Sequence, residues 1–109
     1  MIFHLWTLIE KNLLYKKMIA QMFNHSEWIN ETDPFILRNY YNNILKESEF
    51  GVLSFVEYHF EPFGYTALWL LSESHFAIHT FPEENKSYIE LSSCIEHQYK
   101  KFKQLNEKE

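Results

Sequence analysis

Between Leu71 and Glu83 the chain reads Leu71-Ser72-Glu73-Ser74-His75-Phe76-Ala77-Ile78-His79-Thr80-Phe81-Pro82-Glu83, crowding hydroxyls, imidazoles and carboxylates into one short stretch. A serine hydroxyl is a potential nucleophile, an imidazole exchanges protons near neutral pH, and a thiol such as that of Cys94 can donate one. Taken singly, each of these residues has an ordinary explanation. Ser74 reads as a turn serine, His79 as a core or surface histidine, Cys94 as a small buried hydrophobe, Phe60 as core packing, Glu83 as a solvated turn residue and Thr66 as a β-former in a strand. A metal centre is the competing chemistry. His75 and His79 share a strand face and Cys94-x-x-His97 has ligand-like spacing, but a structural zinc site draws on more than one cysteine, so no metal is expected.

The chain has 109 residues, room for a single domain over 1–109, and a domain of that size buries only about two thirds of its unfolded surface. Hydrophobic residues make up 46% and aromatics 18%, which excludes a disordered chain and points to surface covered by a second subunit or a flat ligand. A net charge of -5 with one arginine, Arg38, argues against nucleic acid as a partner. The cluster Lys100, Lys101 and Lys103 reads as the solvated, positive-bearing end of a helix. The uncharged stretch Pro62 to Ser72 is far shorter than the roughly 20 residues of a membrane span, and no signal-peptide pattern opens the chain. The expectation is a cytoplasmic protein without membrane partners, and the single cysteine suits a reducing compartment.

The elements follow from periodicity. Ile2 to Ile9 is an apolar run that fits strand or helix, Leu13 to Phe23 carries helical spacing, and the polar stretch Asn24 to Thr32 reads as a loop. Asp33-Pro34 is a helix start, followed by the apolar stripe Ile36, Leu37, Tyr40, Tyr41, Ile44 and Leu45. After Gly51 the period falls to two, giving strands over Val52 to Phe60, Tyr65 to Leu71, Phe76 to Phe81 and Ser87 to Leu91, joined by short turns. From Ile95 onward Ile95, Tyr99 and Phe102 share a helical face. Short turns between consecutive strands imply an antiparallel sheet, so the fold class is α+β with helices packed on one face.

The Glu73-Ser74-His75 triplet, followed by Ile78-His79-Thr80, an aromatic residue and Pro82-Glu83, closely resembles the self-processing segment of bacterial and archaeal S-adenosylmethionine decarboxylases. The likeness runs from Phe60, Pro62 and Gly64 to Cys94. It implies that the chain cuts itself between Glu73 and Ser74 into fragments 1–73 and 74–109, with Ser74 becoming a pyruvoyl cofactor. In that pattern His79 assists the elimination step and Cys94 supplies a proton during turnover. Phe60 stacks on adenine, Glu83 binds the ribose hydroxyls, and Thr66 stands where the family has a serine that helps processing. The implied chemistry begins with attack of Ser74 Oγ on the Glu73 carbonyl, converting amide to ester, after which a base removes the α-proton of residue 74. The implied activity is decarboxylation of S-adenosylmethionine, feeding aminopropyl groups into spermidine synthesis, by a homodimer whose pocket draws on both chains.

The likeness is weakest at the start of the chain. His4-Leu5 is the nearest match to the family's opening strand, with Leu8 where an acidic residue is expected and extra residues placed between Leu14 and Pro34. Two alternatives remain open from sequence: an unprocessed homologue with a regulatory or nucleoside-binding role, and a pyruvoyl enzyme acting on ornithine or arginine.

Overall fold

The computed structural model describes residues 20–107. Five strands, β1 (Phe23–Ile29), β2 (Val52–His59), β3 (Tyr65–Leu71), β4 (Ser74–Phe81) and β5 (Lys86–Ser93), form one sheet in the order β1-β5-β4-β3-β2. Every neighbouring pair is antiparallel. Two helices, α1 (Pro34–Glu47) and α2 (Glu96–Glu107), cover one face, so the architecture is α+β with helices on a single side, as the periodicity predicts.

Helix α1 starts where its cap chemistry places it. The Asp33 carboxylate accepts from the amides of Phe35 (2.9 Å) and Ile36 (3.1 Å), and Pro34 occupies a first-turn position where no amide is needed. Leu37, Tyr41, Ile44 and Leu45 are buried, while Ile36, part of the expected stripe, is half exposed. Their partners are alternate residues of the central strands, Tyr65, Ala67, Trp69 and Leu71 from β3, Phe76 and Ile78 from β4, and Ile89 and Leu91 from β5, closed by Phe102 of α2. Several polar side chains in this layer are paired: Trp69 Nε1 donates to Asn42 (2.7 Å), and Tyr41 donates to Asn106 (2.9 Å), which donates to Glu27 (2.7 Å).

The structure corrects the reading of Asn24 to Thr32. Residues 1–19 lie outside the described set, and with them the run Ile2 to Ile9 and most of the helix expected over Leu13 to Phe23; residues 20–22 have no regular structure and Phe23 opens a strand. The polar stretch Asn24 to Thr32, a loop by its composition, is mostly β1, so among the described residues the sheet has five strands where periodicity predicts four. Its polar residues hid it. His25, Glu27 and Ile29 alternate with Asn24, Ser26 and Trp28, and at this sheet edge helix side chains supply partners to polar groups of the strand: Asn106 donates to Glu27, and the Tyr99 hydroxyl donates to the Asn24 carbonyl.

At the opposite edge one carboxylate organises the approach of α1 to the sheet. Glu57 accepts from both its neighbours in sequence space and across the layer: Arg38 at 3.0 and 3.1 Å, Tyr65 Oη at 2.9 Å, with His59 Nε2 at 3.4 Å. Burial alone would raise its pKa, but the Tyr65 and Arg38 hydrogen bonds and the charges of Arg38 and His59 outweigh it and hold the carboxyl below its ordinary 4.5. Burial, with the hydrogen bond to and the charge of Glu57, pushes the Tyr65 phenol up. A carboxyl lowered on folding stabilises the fold above its unfolded pKa, and that contribution is lost as pH falls through the lowered folded value. Glu57→Gln is expected to cost about 1–3 kcal/mol at pH 7, and the gap to the unsubstituted chain should narrow in urea melts carried down through the carboxylate range.

Candidate active site

Strands β3 and β4 pair in register from Tyr65↔Thr80 to Leu71↔Ser74, which leaves only Ser72 and Glu73 to make the turn. Glu73 has φ +58. Hairpins with two-residue turns favour types whose first central residue has positive φ; here the second does, as in a type II turn, where Gly or Asn is the suited residue. A residue with a Cβ in this region is strained by roughly 1–2 kcal/mol. That strain sits at the link whose cleavage the sequence resemblance implies.

The turn is held from both sides. The Ser72 amide donates to the Gly51 carbonyl (3.1 Å), and the Glu73 carbonyl accepts from the Cys94 amide (3.4 Å). The Cys94 thiol lies 3.5 Å from Glu73 Oε2. On the helix-covered face Ser74, only 6% exposed, donates from Oγ to Ser93 Oγ at 2.9 Å. Ser93 is fully buried and lies two residues beyond Leu91, where the sequence pattern predicts the end of β5. Continuing the alternation Ser87, Ile89, Leu91 by one step puts Ser93 on the core face beside Ser74, and the registers confirm that pairing.

The predicted site residues therefore fall into two groups. Glu73, Ser74 and Cys94 meet at one end of the sheet. Thr66 and His79 meet at the other, on paired positions of β3 and β4, with Thr66 Oγ1 3.0 Å from His79 Nδ1 and the His79 ring stacked 6.5 Å from Tyr88. Phe60, after β2 and 4.8 Å from Tyr58, and Glu83, in the 3-10 turn Pro82–Glu84, belong to that second end. Five residues along a strand at about 3.3 Å each separate His79 from Ser74 by roughly 17 Å, and the odd spacing turns their side chains to opposite faces. One chain does not bring the imidazole to the serine.

The face bearing Thr66 and His79 is the one without helices, and it carries an apolar patch beside polar residues such as His75 and Glu90. Val56, Tyr58, Leu68, Leu70, Phe81 and Trp28 are all exposed there. A cavity of about 520 Å³ lies elsewhere, between β1, α1 and α2, and contains none of the predicted residues. Among the described residues no three His, Cys, Asp or Glu side chains gather as metal ligands, and no helix is long and apolar enough to cross a membrane.

A helix-backed antiparallel sheet with a strained hairpin at one end and a Thr-His pair at the other defines a class of small α+β domain, and the comparisons give that class a family. The chain belongs to the S-adenosylmethionine decarboxylase family, whose model matches residues 16–108. It is 35% identical over 65 residues to an S-adenosylmethionine decarboxylase proenzyme of Synechococcus, an alignment covering 60% of this chain and 51% of that one. It is 49% identical over 43 residues to S-adenosylmethionine decarboxylase proenzyme 2 of Bacillus cereus, covering 39% of this chain and 35% of that one. The matched region thus spans about half the length of the Synechococcus relative or less. The crystal structure of the adenosylmethionine decarboxylase from Aquifex aeolicus shares the fold, with TM-score 0.68 over 81% of this chain and 78% of that one at 19% identity. The family match begins at residue 16, beyond His4-Leu5, and the first strand within it among the described residues is Phe23–Ile29.

Burial, then the hydrogen bond to and the charge of Glu73, hold the Cys94 thiol above its usual range, which keeps it protonated at neutral pH. In the uncut chain Cys94 should react slowly with iodoacetamide at pH 8, and Glu73→Gln should speed the reaction; an unchanged rate would show that Glu73 does not govern the thiol.

Proposed function

We propose that this chain is a proenzyme that cuts itself between Glu73 and Ser74 and, once cut, decarboxylates S-adenosylmethionine. The observation that carries the reading is the strained Ser72-Glu73 turn with a buried hydroxyl on its far side and a thiol against it. In the first step Ser74 Oγ attacks the Glu73 carbonyl carbon; the O–C bond forms, the C–N bond breaks, and the hydroxyl proton passes to the nitrogen of residue 74. The Cys94 amide, already bonded to that carbonyl oxygen, supports the charge that builds on it. Removal of the α-proton of residue 74 then expels the Glu73 carboxylate and leaves a dehydroalanine, whose imine tautomer is hydrolysed by water, releasing the nitrogen of residue 74 as ammonia and leaving a pyruvoyl group. That group supplies a ketone able to accept the electrons released with carbon dioxide. The protonated Cys94 thiol suits return of a proton to the substrate carbon.

The separation of His79 from Ser74 supports a homodimer. Two apolar sheet faces packed together about 10 Å apart, around a two-fold axis perpendicular to the strands, set the Ser74 end of one chain against the His79 end of the other. His79, oriented by Thr66 and Tyr88, then serves the partner's residue 74, and Phe60 and Glu83 serve the partner's substrate. Tyr58 beside Phe60 gives a flat aromatic surface suited to adenine rather than to the cationic side chains of ornithine or arginine, which call for acidic partners. The proposal includes a cytoplasmic, reducing setting, where the free Cys94 stays available.

Co-expression tests the shared site. Ser74→Ala alone should stay intact and inactive, and His79→Ala alone should stay uncut or stop at the ester. Produced together, they should yield cut His79→Ala chains, because the Ser74→Ala partner supplies the imidazole. Absence of cutting in the mixture would place His79 in its own chain's site or remove it from processing. Carbon dioxide release from S-adenosylmethionine, and none from ornithine or arginine, checks the substrate.

A further inference from the structure

We infer that Ser93 is a positioning residue for self-processing, fixing the Ser74 hydroxyl for attack; this deepens the proposed cleavage and rests on it. Ser93 is fully buried at the end of β5, opposite Ser74 in the ladder. Its oxygen accepts from Ser74 Oγ at 2.9 Å and from the Ile95 amide at 3.1 Å, and its own proton goes to the Ile95 carbonyl at 3.4 Å. A serine hydroxyl has one proton and two lone pairs, so Ser93 is fully used. With its proton spent on Ile95, Ser93 acts on Ser74 as acceptor only. The Ser74 proton is thereby drawn toward Ser93, and the Ser74 lone pairs are left to face away from it.

The anchor for this arrangement is rigid. Ile95 opens α2, where its carbonyl accepts the Tyr99 amide, and α2 is fastened to the core through Phe102 and Asn106. The neighbouring Cys94 amide holds the Glu73 carbonyl from the same segment. Nucleophile and electrophile are thus held by consecutive residues, Ser93 through its side chain and Cys94 through its backbone. Without Ser93, the Ser74 hydroxyl is free to rotate about χ1, and small displacements of a reacting atom are costly: loss of roughly 10- to 100-fold in the rate of the acyl shift is expected.

The test follows the uncut chain by intact mass over time after synthesis, for the unsubstituted chain, Ser93→Ala, Ser93→Thr and Ser87→Ala. Ser87 is also fully buried on β5, bonded to the Glu31 carbonyl at the far end of the strand, and so reports the cost of losing a buried hydroxyl without a role at the turn. Ser93→Ala should slow cutting by the stated factor without accumulating an ester that hydroxylamine can cleave, because the step affected comes before the ester. Ser93→Thr, which keeps the oxygen, should restore most of the rate, and Ser87→Ala should cut normally. Cutting of Ser93→Ala at the unsubstituted rate, build-up of its ester, or equal slowing by Ser87→Ala would each overturn the inference while leaving the cleavage reading intact. An unsubstituted chain that never cuts would overturn both.

Discussion

The two-residue turn between β3 and β4 is the constraint on which the rest depends. It forces a glutamate into left-handed backbone geometry, and it persists because the layers around it leave no room for relaxation. The Ser72 amide is tied to Gly51 at the start of β2, the Glu73 carbonyl to Cys94 after β5, and the Ser74 side chain to Ser93. Three segments distant in sequence converge on one peptide link. The strain of roughly 1–2 kcal/mol at Glu73 is small beside the barrier to breaking an amide, so in the proposed cleavage its use would lie in orienting the carbonyl rather than in driving the reaction.

The core supplies the stiffness that this needs. Trp69, Leu71 and Phe76 flank the turn on its helix side, packed under Tyr41 and Phe102, and each buried large side chain contributes on the order of 1.5–3 kcal/mol of hydrophobic stabilisation. The bare face of the sheet has the opposite character. Its exposed aromatic and aliphatic residues make a surface better suited to another sheet than to water, and they surround the Thr66-His79 pair. The division of the predicted residues between two ends of one sheet is therefore coherent if catalysis is shared between copies.

Much of this was legible in the residues. The Asp33-Pro34 cap, the stripe of α1 and the period-two runs after Gly51 locate α1, β2 and β3 within a residue or so, because local chemistry and burial agree there. Strand β1 was not legible: Asn24, His25, Ser26 and Glu27 are polar, and only their pairing with β5 and with Asn106 and Tyr99 makes a strand of them. The site residues could be named by resemblance, but their arrangement could not. Parity along β4 already set Ser74 and His79 on opposite faces, yet the sequence offers no measure of which face is covered. Ser93 escaped notice because a serine beside a cysteine carries no signal until the β4–β5 register puts it opposite Ser74.

The central claim is that the Glu73–Ser74 link breaks without help. Intact mass spectrometry of the freshly purified chain addresses it most directly. The account predicts two species, one ending at residue 73 and one beginning with a residue 74 that has lost its amine and gained a ketone. A single species with the mass of the uncut 109-residue chain, persisting over days at neutral pH, would contradict it.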